Sequence, residues 1–257
     1  MLSGLTIDKW LPITVAIVLG AAVGVWLSTG STVGLDARVP GTDRTAASVS
    51  VQPPEPAGPI EGELTQGDGE PGRTPGQWRS FRGDDHDAVA EDSPPLLRDW
   101  PPDGPPELWS IDVGEGYAGA AIRDGRIYLI DYDRAEASDV LRCLSFDTGE
   151  DIWRYAYPIK VKRNHGMSRT VPAVTDTHVV SLGAKCHVLG AGAETGERKW
   201  LIDLTREYGT TVPPWYAGQC PVIEDGRVIL APSGPEALMV ALDVETGEEL
   251  WRTPNDL

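Results

Sequence analysis

Hydrophobic patterning divides the chain into three stretches. Residues 11–29 read LPITVAIVLGAAVGVWLST, an apolar run with no charged residue. From about residue 30 to 76 the pattern has no period and Pro, Gly, Ser, Thr, Asp and Glu dominate. Beyond Pro106 short apolar runs return, each opened by a turn signal: RDGRIYLI at Arg123–Ile130, TDTHVVSL at Thr175–Leu182 and EDGRVILA at Glu224–Ala231. Runs of this length, bounded by turn residues, predict β-strands.

The first stretch predicts a transmembrane helix. At about 1.5 Å per residue, its length matches the hydrocarbon core. Lys9 precedes it and the next charges are Asp36 and Arg38, so the weak positive-inside bias puts residues 1–10 in the cytoplasm. A signal anchor at 11–29 is favoured over a cleaved signal peptide, whose apolar region is shorter and ends in a small-x-small site. Either reading places the bulk of the chain outside the cytoplasm, in the periplasm. Residues 30–76 lack the apolar surface to offset their ordering entropy and are expected to form a disordered tether.

Within the last stretch one unit recurs. TGEDIW ends at Trp153, TGERKW at Trp200 and TGEELW at Trp251, at spacings of 47 and 51 residues. Asp-Gly and Thr-Gly pairs suit hairpin turns that require positive φ. Each unit therefore reads as four short strands, and four strands at this period predict propeller blades. The fold class is all-β, with about three four-stranded antiparallel blades over residues 77–257, near Tyr117–Tyr157, Thr170–Leu204 and Gly218–Thr253. The repeated Trp is expected to lay its ring against the neighbouring blade and bury it there.

The unit resembles the PQQ-like (quinoprotein-type) repeat of bacterial envelope proteins, A-L-D-x-x-T-G-x-x-x-W. Ala241, Leu242, Asp243, Thr246, Gly247 and Trp251 match at every fixed position. The first unit keeps Leu144, Thr148, Gly149 and Trp153, and the second keeps Thr195, Gly196 and Trp200. WRSFRG at Trp78–Gly83 and PELW at Pro106–Trp109 resemble the opening of such proteins. The family includes quinone-dependent dehydrogenases and the scaffold lipoprotein of outer-membrane protein assembly. The resemblance implies a larger ring of blades than three. A strand at Pro106–Val113 is therefore expected to be the outer strand of a closing blade, leaving an open arc with unpaired edges. Such edges invite self-association, or the chain is a truncated piece of a longer propeller. The dehydrogenases clamp their quinone with adjacent cysteines, which this sequence lacks, so no cofactor is expected.

Composition narrows the function further. The net charge is −17, with 22 basic residues against 39 acidic ones, which argues against a nucleic-acid partner. Cys143, Cys186 and Cys220 form no zinc spacing and read as small core residues. A Cys186–Cys220 disulfide stays open. Serine-hydrolase elbows, P-loops, metalloprotease helices and dinucleotide fingerprints are absent. The expected role is a membrane-anchored scaffold or binding module with no catalysis of its own. The alternative is a diverged or truncated quinoprotein (PQQ-dependent) dehydrogenase.

Two connections carry candidate binding residues. IKVKRNHGMSRT, residues 159–170, holds the basic cluster with Lys160, Lys162, Arg163, His165 and Arg169, suited to an anionic ligand or acidic partner. REYGTTVPPWYAGQC, residues 206–220, carries Trp215 and Tyr216, a composition suited to recognition. An envelope protein or small anionic ligand is the expected partner. The acidic stretch DYDRAEASDV, Asp131–Val140, does not fit a calcium loop and reads as a solvated insertion.

Overall fold

Every Thr-Gly-Glu turn closes the last hairpin of a four-stranded antiparallel unit in the computed structural model, which describes residues 7–29, 60–90, 95–96 and 98–255. The first blade comprises β2 (Ala121–Arg123), β3 (Arg126–Asp133), β4 (Ser138–Ser145) and β5 (Asp151–Pro158). The second comprises β6 (Ala173–Val174), β7 (His178–Leu182), β8 (His187–Gly192) and β9 (Arg198–Asp203), followed by the short helix α2 (Leu204–Glu207). The third comprises β10 (Val222–Glu224), β11 (Arg227–Leu230), β12 (Met239–Asp243) and β13 (Glu249–Thr253). The first strands β2, β6 and β10 lie side by side, so the blades radiate from them. Both Asp-Gly pairs adopt the positive φ that a two-residue I′ turn demands: Asp124 47° and Gly125 70°, Asp225 47° and Gly226 73°.

The repeat consensus has a common geometric cause. Each blade carries a β-bulge between its third and fourth strands, at Cys143/Leu144, Gly190/Ala191 and Ala241/Leu242. The unpaired residue is the one just before the Trp: Ile152, Lys199 or Leu250. The bulge turns the indole onto the face of the sheet. Opposite each Trp stands a small residue, Cys143, Gly190 or Ala241, and a side chain at Gly190 would collide with the Trp200 ring.

Each ring then crosses to the next blade. Trp153 Nε1 donates to the Ala193 carbonyl at 3.1 Å and Trp200 Nε1 to that of Val244 at 2.9 Å. The ring lies against the glycine three residues further on, Gly196 or Gly247, where an added Cβ would sit 2.5 Å or 2.7 Å from indole carbon. Those glycines also hold φ of 72°, so two separate constraints exclude a side chain. Trp153 and Trp200 are buried, as the spacing predicts. Trp251 is half-buried.

Trp109 repeats this arrangement from outside the three blades. Its Nε1 donates to the Phe146 carbonyl at 3.1 Å and its ring lies against Gly149. It does so without the expected strand, since residues 106–113 form none. The interaction depends on one indole and one turn, not on a ladder.

The expected tether is corrected in part. Residues 30–59 lie outside the described residues, but β1 (Glu63–Gln66) pairs antiparallel with β5 and makes the first blade five-stranded. Leu64 packs into the cluster around Trp153 and Tyr155. Gly67 and Gly69 donate to the carbonyls of Ile152 and Asp151, Gly72 donates to Gly125, and the backbone N–H groups of Arg73 and Thr74 donate to the Asp147 carboxylate. The open backbone edge of β5 supplies the ladder that this segment's composition did not advertise. Residues 63–66, upstream of the expected boundary at residue 77, therefore belong to the folded part.

The acidic stretch at 131–140 is also corrected. It forms the distal half of the β3–β4 hairpin, closed by a turn at 134–137. Asp131 is buried in an ion pair with Arg142 at 2.6 Å and accepts from Gly114 N–H at 2.7 Å. Asp139 is fully buried and accepts from the Tyr157 hydroxyl at 3.2 Å. All three cysteines are free, so no Cys186–Cys220 disulfide forms. Burial pushes the Cys143 thiol up to about 12, the behaviour of a packed, unreactive residue.

The chain separates into two units, residues 1–39 and 40–257. In the first, α1 (Ile7–Thr29) covers the predicted span and begins before it, and residues 1–6 lie outside the described residues. Its described side chains from Ile13 to Ser28 are all exposed. Among the described residues no helix is long and apolar enough to cross a membrane.

Candidate functional site

Antiparallel alternation within each blade dictates where the connections emerge. The link from each outer strand to the next inner strand leaves on the same end as the hairpin between the second and third strands. Residues 159–172 and 204–221 are both links of this kind. The two loops singled out from sequence are therefore brought to one end, and they touch.

The contact is built from Tyr216 and Arg169. The Tyr216 hydroxyl donates to the Lys162 carbonyl and accepts from the Lys162 N–H, both at 2.9 Å. Arg169 donates to the carbonyls of Tyr216 at 3.2 Å and Ala217 at 3.3 Å. Asn164 donates to the Pro214 carbonyl at 3.3 Å and accepts from Gly166 N–H at 2.7 Å. Gly166 lies against the Trp215 carbonyl so closely that no side chain would fit. Beneath the loops, Tyr132, Val161, Met167, Ala184 and Tyr216 form a small apolar cluster. Ser168 and Tyr216 both hold left-handed backbone, at φ 39° and 63°. Strain of this kind in both loops persists only where surrounding bonds over-determine it.

Five of the six residues expected to bind a partner are displayed on this surface. Lys162, Arg163, His165, Arg169 and Trp215 are exposed, Arg163 with 78% of its side chain free and Trp215 at 56%. The His165 and Trp215 rings lie 6.2 Å apart, tilted by 35°. Tyr216 is the exception: it is buried, and its role is to hold the loops together. Arg169 has the same job through its guanidinium.

A third segment joins them that the sequence reading missed. Tyr117 N–H donates to the Ser168 carbonyl at 2.8 Å, and its ring is 65% exposed. Glu115 pairs with Arg134 at 2.5 Å and faces Arg163 at 3.6 Å. The hydrogen bond from Arg134 holds the Glu115 carboxyl below its ordinary value. One legible sign was Gly116, where a side chain would meet Ser168; Gly114-Glu115-Gly116-Tyr117 marks a close backbone approach. Lys160 and Lys162 form no ion pair among the described residues, so the cluster is only partly neutralised by acids. The surface thus offers uncompensated cations beside two aromatic rings. Among the described residues no group of His, Cys, Asp and Glu is arranged to hold a metal ion.

Comparison with known proteins agrees with the repeat. Residues 136–256 match the family described as "Outer membrane protein assembly factor BamB". No curated protein matches the chain. Among solved structures, BamB from Moraxella catarrhalis is similar at 18% identity and a TM-score of 0.38, over 55% of this chain and 39% of its own. Quinohemoprotein alcohol dehydrogenase ADHIIG from Pseudomonas putida HK5 is similar at 21% identity and a TM-score of 0.40, over 57% of this chain and 22% of its own. A europium-containing methanol dehydrogenase is similar at 16% identity and a TM-score of 0.38, over 53% of this chain and 24% of its own. The chain thus spans well under half the length of each of these proteins.

Proposed function

We propose that this chain, a PQQ-like repeat propeller similar to the outer-membrane assembly factor family, is a membrane-anchored extracytoplasmic scaffold that binds an acidic partner through its loop-bearing end. The observation that carries the reading is the meeting of residues 159–169 with residues 213–217. Two loops far apart in sequence combine to present Lys162, Arg163 and His165 beside Trp215. Aromatic and guanidinium side chains are the groups that most often dominate protein interfaces, and lysines without an acidic partner among the described residues, here Lys160 and Lys162, favour a carboxylate-bearing surface. The uncharged run at 11–29, continuous as helix, supports an anchor with residues 1–10 on the cytoplasmic side.

Capture of envelope proteins by the full chain tests the binding surface. The chain carrying Lys162→Glu, Arg163→Glu and Trp215→Ala should lose the proteins that the unaltered chain retains, with an unchanged thermal melt. Retention of the same proteins by both would reject the surface. A reporter fused after Thr45 tests the topology and should be active only outside the cytoplasm.

A further inference from the structure

The first and second blades end in equivalent outer strands whose edges are treated differently. In the first, β5 is covered by β1, with Gln66, Thr65, Leu64 and Glu63 opposite Trp153, Arg154, Tyr155 and Ala156. The matching positions of β9, counted from its own Trp, are Trp200, Leu201, Ile202 and Asp203. β9 is the last strand of its sheet, and among the described residues no strand covers it. A groove of about 270 Å³ runs along the whole of β9, with Ile60, Arg206 and Glu207 completing its walls. An edge strand facing a groove is a template for strand addition.

The walls also specify what the added strand should carry. Arg198 and Lys199 are exposed at one end of β9, and Arg206 lines the other together with Glu207. Asp203 is already engaged, accepting from Thr205 at 2.9 Å and lying 3.6 Å from His187. The end of the groove at Arg198 and Lys199 is therefore basic, within a chain of net charge −17. Arg198 already grips a passing backbone, donating to the Ile60 carbonyl at 2.8 Å. The strand that covers β5 comes from the acidic sequence IEGELTQGD, residues 60–68, and places its one large apolar residue, Leu64, against the core. The position on β9 that corresponds to Leu64's partner is Ile202, half-buried against the cluster between the second and third blades.

We propose that the outer edge of β9 accepts an extended segment of a partner protein, about one strand long, with a carboxylate at the end that meets Arg198 and Lys199 and an apolar residue opposite Ile202. This surface is separate from the loop-bearing end, and each stands or falls without the other.

The test uses the full chain and a synthetic peptide of sequence IEGELTQGD carrying a photo-crosslinking group. Saturable binding should be seen below about 1 mM, with crosslinks confined to residues 198–203. Methylating the peptide's backbone nitrogens at one set of alternate residues should abolish binding, whereas methylating the other set should leave it, because only one edge of a strand enters a ladder. Arg198→Glu with Lys199→Glu, both exposed, should weaken binding at least about tenfold without altering the melt, and so should replacing the peptide's aspartate by lysine. Crosslinks on β5 or on the loop-bearing end would overturn the proposal. So would indifference to both methylation patterns, or no saturable binding at all.

Discussion

A single hydroxyl, that of Tyr216, holds both backbone groups of Lys162, donating to its carbonyl and accepting from its N–H at 2.9 Å each. These two bonds lock together loops that belong to different inter-blade connections. Tyr216→Phe removes the oxygen and leaves two partly enclosed backbone groups unpaired, a loss of about 1–3 kcal/mol. Hydrogen exchange should show it locally, with residues 159–169 losing protection while the strands of the first blade keep theirs. An unchanged exchange pattern in that loop would mean that the Tyr216 bonds do not hold it.

The inter-blade tryptophans should dominate stability. Trp153→Ala removes a fully buried ring together with its bond to Ala193 and should cost about 3–5 kcal/mol in urea unfolding. A cost below about 1 kcal/mol would show that the ring is not seated as described.

Gly196→Ala tests the other half of that contact. The added methyl meets both the indole and a backbone at φ 72°, so destabilisation should exceed about 1 kcal/mol. Gly226→Ala is a useful control: its φ is 73° but nothing lies within 4 Å of the added carbon. The difference between the two isolates the indole contact from the turn strain.

Limited proteolysis should leave a stable fragment that keeps residues 63–66, because these are laddered to β5. A first stable fragment beginning near Gln77 would contradict this strap. The same point shows what the sequence made legible. The Thr-Gly-Glu-x-x-Trp unit repeats because a turn, a bulge and a ring must recur at fixed offsets, so its period exposes the blades. β1 has no such signature, since its strand state is imposed by the unpaired edge of β5 and not by its own residues. Likewise, Trp215 and the cations of the loop-bearing end could be read as recognition residues from composition. That Tyr216 is instead a buried clasp depends on which loop it faces, and one sequence pattern does not encode that.

Stability should depend on pH through two carboxylates of opposite tendency, the buried Asp139 and the half-buried Asp203. Burial, opposed by the Tyr157 hydroxyl and His187, raises Asp139 to about 6. The folded state then binds this proton more tightly than the unfolded chain, so the contribution is present below about pH 4 and lost as pH rises through 6. Asp203 behaves oppositely: burial alone would raise it, but bonds from His187 and Thr205 hold it at about 2. Its contribution is present above about pH 4 and lost as pH falls towards 2. From these two groups, stability peaks near pH 4. Asp139→Asn should flatten the decline between pH 4 and 6 in denaturant titrations, and an unaltered slope would mean that Asp139 does not govern it.

The tryptophan contacts also have a direction. Each indole belongs to one blade and its seat, a glycine turn, to the blade made after it. During synthesis, then, the first blade can pair its strands as soon as Pro158 has emerged, yet Trp153 has nowhere to rest until Gly196 has emerged as well. The nascent chain therefore always carries one unseated indole at its growing end. It is sheltered only once most of the following unit has left the ribosome, so a pause with the chain emerged to residue 158 would leave that ring exposed for longer than a pause with the chain emerged to residue 200.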